Sequence, residues 1–224
     1  MSNNLEFDLV TGVDGENMAE LKFEREITAL LVIDPYNDFI SEGGKFWDHL
    51  KTVAEANNCV PNMLKVLNAA RKAKLRVFYA LHHRYRPGDY ETWKYIAPIQ
   101  RHPGRIRRRI RHLGWRDPRR VRAPAGRNRS PGALVSSGFA NTDLDLQLKK
   151  HGIHQLIVTG LIAHTCVEAT VRYATELGYE VTMVRDATAD YSDVEMHAAL
   201  DVNIPNYASA FATTDQIVNS TSSM

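Results

Sequence analysis

Strand-sized apolar runs recur along the chain, at residues 28–34, 75–81, 179–185 and 208–213, with one more from residue 156 to a break at Gly160. The first, Thr28-Ala29-Leu30-Leu31-Val32-Ile33, lacks polar alternation, which marks a strand buried on both faces of a parallel sheet. Pro35 has no N–H for a sheet ladder, so the strand stops there and Asp34 sits at its carboxyl end. Residues 52–74 carry a helical pattern (Met63, Leu64, Leu67, Ala70, Ala73) around Pro61, which predicts two helical pieces or a helix starting near the proline. A short helix runs from Asn141-Thr142, an N-cap signal, to Gly152, a C′ residue, and another covers residues 193–203. Residues 36–47, with Gly43-Gly44, read as a loop, residues 1–26 as an extended arm, and the Ser/Thr-rich residues 219–224 as a frayed tail. Strands alternating with helices predict one α/β domain over residues 1–224, its mainly parallel sheet covered on both faces.

The run from Leu156 carries the strongest chemical signal. It breaks at Gly160 and resumes as a helix whose positions Val167, Thr170, Val171, Ala174 and Leu177 share a face. Cys166 stands where turn becomes helix. Unpaired backbone N–H groups and the positive end of the macrodipole favour a thiolate there, the nucleophilic form of cysteine. Simple packing of a small buried residue fits the same position. Asp34 and Cys166 both follow strands, so the two can meet at one carboxyl edge, where a carboxylate could take the thiol proton. Spacing alone does not establish the meeting.

The chain has 224 residues, enough for one α/β domain with a substantial core. No apolar run reaches membrane-spanning length, and residues 1–26 lack the basic and apolar regions of a signal peptide. Two cysteines make neither a disulfide framework nor a zinc-ligand pattern, which points to a reducing, cytoplasmic setting with Cys59 as inert packing. The net charge of +2 conceals a discontinuity. Residues 101–130 hold twelve arginines, no lysine and one acid, Asp117, a local charge of +11 against −9 elsewhere. Clustered arginine can neutralise nucleic-acid phosphates. The segment lacks regular aromatic interleaving, and the rest of the chain is acidic, so a nucleic-acid partner is not expected.

Three segments resemble the motifs of the isochorismatase-like cysteine hydrolases, in the right order. They are Val32-Ile33-Asp34-Pro35-Tyr36-Asn37-Asp38-Phe39, Ser137-Gly138-Phe139-Ala140-Asn141-Thr142-Asp143-Leu144, and Gly160-Leu161-Ile162-Ala163-His164-Thr165-Cys166-Val167. The resemblance spans residues 28–100 and 136–218. It implies a Rossmann-like αβα three-layer fold with an Asp–Lys–Cys triad, in which Asp34 matches the aspartate and Cys166 the nucleophile. A cis peptide would fall at Leu161–Ile162, with the N–H groups of Ile162 and Cys166 forming an oxyanion hole. The implied reaction is thiolate attack on a small amide or ureido carbonyl, loss of ammonia or amine, and hydrolysis of the thioester. Phe39, Trp47 and His164 are the candidate substrate-binding residues, and each also fits simple packing. A small-molecule substrate, self-association into a homo-oligomer, no membrane and no cofactor complete the expectation.

The chain departs from the family pattern in two places. Metal-binding relatives such as nicotinamidases carry Asp-x-His after the second strand, where this chain has His82-His83-Arg84, so no metal is expected. The triad lysine should lie six to eight residues before Ser137, yet no lysine occurs between Lys94 and Lys149. The Arg/Pro/Gly/Ala-rich residues 101–135 interrupt the resemblance, and such composition is what G+C-rich codons give in a wrong frame. Two compensating frameshifts or a natural basic insertion both account for it. Either leaves open a catalytically impaired scaffold with a nucleophile and a base but no lysine.

Overall fold

The computed structural model describes residues 21–83, 90, 92–98, 132–222 and 224. The strands β1 (Thr28–Ile33), β2 (Arg76–Ala80), β3 (Gln155–Leu161), β4 (Glu180–Ala189) and β5 (Ala210–Ala212) form a single sheet in the order β2-β1-β3-β4-β5. Every neighbouring pair is parallel. β1 lies near the centre and is buried along its whole length. Leu30 and Val32 enter the core on one face, and Ala29, Leu31 and Ile33 enter the core on the other. That division is why the run shows no polar alternation.

The first face is covered by α2 (Trp47–Ala56), α3 (Cys59–Lys72) and α7 (Thr214–Ser222). The second is covered by α4 (Leu144–Lys150), by α5 (Glu168–Glu176) and by the segment after α6 (Asp193–His197). Pro61 falls in the first turn of α3, where its missing N–H has no intrahelical partner to lose. The break between α2 and α3 is made by Asn58 in the left-handed region at φ 54°. α4 starts at Leu144, whose N–H bonds the Thr142 hydroxyl, and it closes at Gly152 with φ 68°.

Several elements differ from the sequence-based expectation. The segment read as a loop contains one helical turn, α1 (Asn37–Ile40), and α2 already begins at Trp47. Of the residues read as a frayed tail, 219–222 belong to α7, because Ile217 and Thr221 are buried on one face and the Thr221 hydroxyl bonds the Ile217 carbonyl. β4 runs past Asp186 to Ala189, since a register shift between Val158 and Gly160 lets Thr188 and Ala189 pair with Gly160 and Leu161. β3 does not break at Gly160 but passes through it. A Cβ there would lie 2.1 Å from the Ile33 carbonyl oxygen, and φ is 131°, so glycine alone lets β1 and β3 approach.

Beside β2, His82 and Ala133 form an isolated parallel bridge, at the position a further edge strand would take. The Arg/Pro/Gly/Ala-rich residues 101–135 lie almost wholly outside the described residues. None of the described helices is long and apolar enough to cross a membrane.

Candidate active site

Three strands deliver three functional side chains to the carboxyl edge of the sheet. Asp34 directly follows β1 and is 2% exposed, with φ 46°. Its N–H donates to the Ala80 carbonyl at 2.9 Å, which ties it to the end of β2. Aspartate tolerates this left-handed backbone better than most residues, at a cost of about 1–2 kcal/mol. His82 follows β2, and its N–H donates to Asp34 Oδ1 at 2.9 Å. On the other side, Ala133 N–H donates to the Leu81 carbonyl, and the Ala133 carbonyl accepts His83 N–H. A Cβ on Gly132 would come within 2.4 Å of the His82 backbone, so glycine permits this close flank.

Cys166 follows β3 on a π-helical turn, Ala163–Val167, that continues into α5. Single π turns are frequent at functional sites. The Leu161–Ile162 peptide bond preceding it is cis. The Cys166 carbonyl accepts from the Thr170 hydroxyl at 2.6 Å, and that hydroxyl accepts Gly138 N–H at 3.0 Å. The central motif is thereby fastened to the turn that carries Cys166.

The side chains converge. His82 Nε2 lies 3.2 Å from Cys166 Sγ and 3.2 Å from Asp34 Oδ2, and the three donor atoms all lie within 4.8 Å of one another. Burial pushes the Asp34 carboxyl above its ordinary range, against the opposing effect of His82 and of the hydrogen bond with Cys166. Burial also raises the Cys166 thiol well above its ordinary value, and the Asp34 charge adds to that; hydrogen bonds from Thr165 and the Ile162 backbone oppose it. The helix start does not win: in a dry site beside a carboxylate, the resting sulfur is a thiol. A carboxylate with raised affinity for protons next to a buried thiol is suited to accept its proton during attack.

His164 is on the same turn, but its ring bonds Asp190, with Nδ1 2.8 Å from Oδ1 and 2.7 Å from Oδ2. That hydrogen bond raises the His164 pKa despite partial burial. Asp190 is fully buried and also accepts the N–H groups of His164 and Tyr191. Phe39 stacks on Phe46 with ring centroids 4.8 Å apart, and Trp47 is buried in the core under α2. Cys59 lies at the other face, fully buried, its thiol pushed up by desolvation and by Asp186. The expected lysine position is outside the described residues.

His82 is the site residue that motif reading missed. Its signal was positional: like Asp34, it is the polar exit of a buried strand, and β2 neighbours β1. The His82-His83-Arg84 run does not supply the carboxylate of an Asp-x-His site, so no step is assigned to a metal.

The isochorismatase domain family matches residues 134–216. The ureidoacrylate amidohydrolase RutB of Variovorax paradoxus (strain S110) is 27% identical over 207 residues, covering 86% of this chain and 81% of that protein. The crystal structure of a cysteine hydrolase from Pseudomonas syringae pv. phaseolicola 1448A superposes with a TM-score of 0.70 at 24% identity, covering 94% of this chain and 99% of the other. N-carbamoylsarcosine amidase from Thermoplasma acidophilum gives a TM-score of 0.61 at 26% identity, over 84% and 97% of the two chains.

Proposed function

Because this chain belongs to the isochorismatase-like cysteine hydrolase family and has its amidohydrolase scaffold, we propose that it hydrolyses a small amide or ureido C–N bond through a thioester on Cys166. The observation that carries the reading is the convergence of Asp34, His82 and Cys166 at one buried edge. In the first step Sγ forms a bond to the substrate carbonyl carbon while its proton passes to the Asp34 carboxylate. The oxyanion is received by the N–H groups of Ile162 and Cys166. Asp34 then returns the proton to the nitrogen as the C–N bond breaks and ammonia or amine leaves. Water attacks the thioester with Asp34 as base, and the acid is released.

His82 takes the place of the lysine. Its ring nitrogen lies against both the Asp34 carboxylate and the sulfur, and its backbone N–H and ring together keep the carboxylate oriented. His164, on the nucleophile turn, and Phe39, in the turn after β1, are the residues placed to meet the substrate, while Trp47 packs in the core. No cofactor enters the scheme. The direct test is ammonia release from a panel of small amides and ureides, with Cys166→Ala as control. Activity in the wild type and none in the variant is expected; equal activity in both would overturn the assignment.

One observation favours a second reading: the absence of any lysine between Lys94 and Lys149. On it the chain is an impaired scaffold. Turnover far below the ordinary enzyme range of about 1–10³ per second across the whole panel would select it.

A further inference from the structure

The same three side chains are a set of metal donors of mixed type: one thiol sulfur, one imidazole nitrogen and one carboxylate oxygen. Their spacing suits a small tetrahedral ion. Zn–S near 2.3 Å and Zn–N or Zn–O near 2.0–2.2 Å at tetrahedral angles put N and S about 3.5 Å apart and N and O about 3.4 Å apart. His82 Nε2 lies 3.2 Å from both Cys166 Sγ and Asp34 Oδ2, within a few tenths of an ångström of those spacings, and all three donor atoms lie within 4.8 Å of one another. Asp34 and Cys166 are almost wholly buried and His82 is partly exposed. Sulfur and imidazole ligands select zinc over magnesium or calcium, which take oxygen donors.

We propose that Asp34, His82 and Cys166 form a three-ligand zinc site, and that the ion there is an inhibitor. The Zn–S bond forms as the thiol proton leaves to solvent, and the lone pair needed for attack is then held by the metal. This donor set is distinct from the Asp-x-His site of metal-binding relatives. Its inhibitory part rests on the hydrolase reading above; the binding part does not.

The test uses the full chain, freed of metal by a chelator. Calorimetric titration with Zn²⁺ should give one tight site per chain. Co²⁺ should show a thiolate-to-cobalt absorption band. Zn²⁺, but not Mg²⁺, should protect Cys166 from alkylation while leaving the label at Cys59 unchanged. His82→Gln should weaken zinc binding by at least about tenfold, since even outer-shell changes cost that much. Ammonia release should fall in proportion to zinc occupancy and return with chelator. Absence of stoichiometric binding overturns the proposal, as does a Cys166→Ala chain that binds zinc as the wild type does. Should either variant fail to fold, the cobalt band and the protection of Cys166 decide the matter in the wild type. Activity that rises with zinc overturns the inhibitory role. A chain that binds zinc at Cys166 yet hydrolyses nothing defeats the hydrolase reading and leaves the zinc site standing.

Discussion

Replacing Asp34 with asparagine separates a working base from a structural carboxylate. The residue is 2% exposed and its side chain accepts His82 N–H through Oδ1 at 2.9 Å, a bond that the asparagine carbonyl can keep. What is lost is the proton acceptor and the charge facing His82 and Cys166. Loss of a general base costs about 10²–10⁴ in rate, or about 2.7–5.5 kcal/mol of barrier. Stability should respond in the opposite sense. Burial raises the Asp34 pKa above the ordinary 3.8, so the folded state holds the proton more tightly than the unfolded chain. The contribution of this group to stability is greatest at pH values below 3.8, and it declines as pH rises through the folded-state value. Asparagine has no charge to bury, so the melting temperature of the variant relative to wild type should rise across that window and then level off. In a domain of this size, 1 kcal/mol corresponds to about 2–4 °C. Ammonia-release kinetics and calorimetric melting from pH 3 to 8 are the assays. A variant with wild-type turnover, or one whose melting temperature falls further behind with rising pH, would refute the reasoning.

Gly160→Ala should destabilise the chain by at least about 3 kcal/mol, or about 6–12 °C, because a Cβ 2.1 Å from the Ile33 oxygen forces β1 and β3 apart; an unchanged melting curve would show that the close approach is not needed. Limited alkylation followed by peptide mass mapping should label Cys166 before Cys59, which is fully buried on the opposite face; the reverse order would remove Cys166 as the nucleophile. The His164 pKa is raised by its bond to Asp190, so that pair adds stability in full below the ordinary histidine value and loses it as pH rises through the folded value. Asp190→Asn should therefore lower the melting temperature more at pH 6 than at pH 9, and an equal loss at both would show that the pair is held by packing alone.

Much of the frame was legible because burial left simple signatures. β1 could be read from six successive apolar or small residues stopped by Pro35, since a strand packed on both faces has no polar side to display. The ends of α4 and the start of a helix near Pro61 were visible through residues whose backbone preferences do not depend on distant contacts. α7 was hidden because its Ser and Thr side chains resemble a disordered tail until Thr221 is seen bonded inside the fold. The extension of β4 to Ala189 depends on a register shift against β3, a pairing that no local pattern encodes. Cys166 and Asp34 stood out as residues at strand ends. His82 was overlooked because its carboxylate partner is 48 positions away and only sheet order brings them together. Asp190 was missed for the same reason, since the strand before it seemed to end four residues earlier.

The central claim is that Cys166 carries the acyl group. It is tested most directly by acid-quenching the enzyme during turnover of an active amide or ureide and weighing the peptide that contains Cys166. The expected result is an added mass equal to the acyl portion of the substrate, confined to that peptide, removable by hydroxylamine and absent from Cys166→Ala. Steady ammonia release by the wild type with no acylated Cys166 at any quench time, together with full activity in Cys166→Ala, would contradict it.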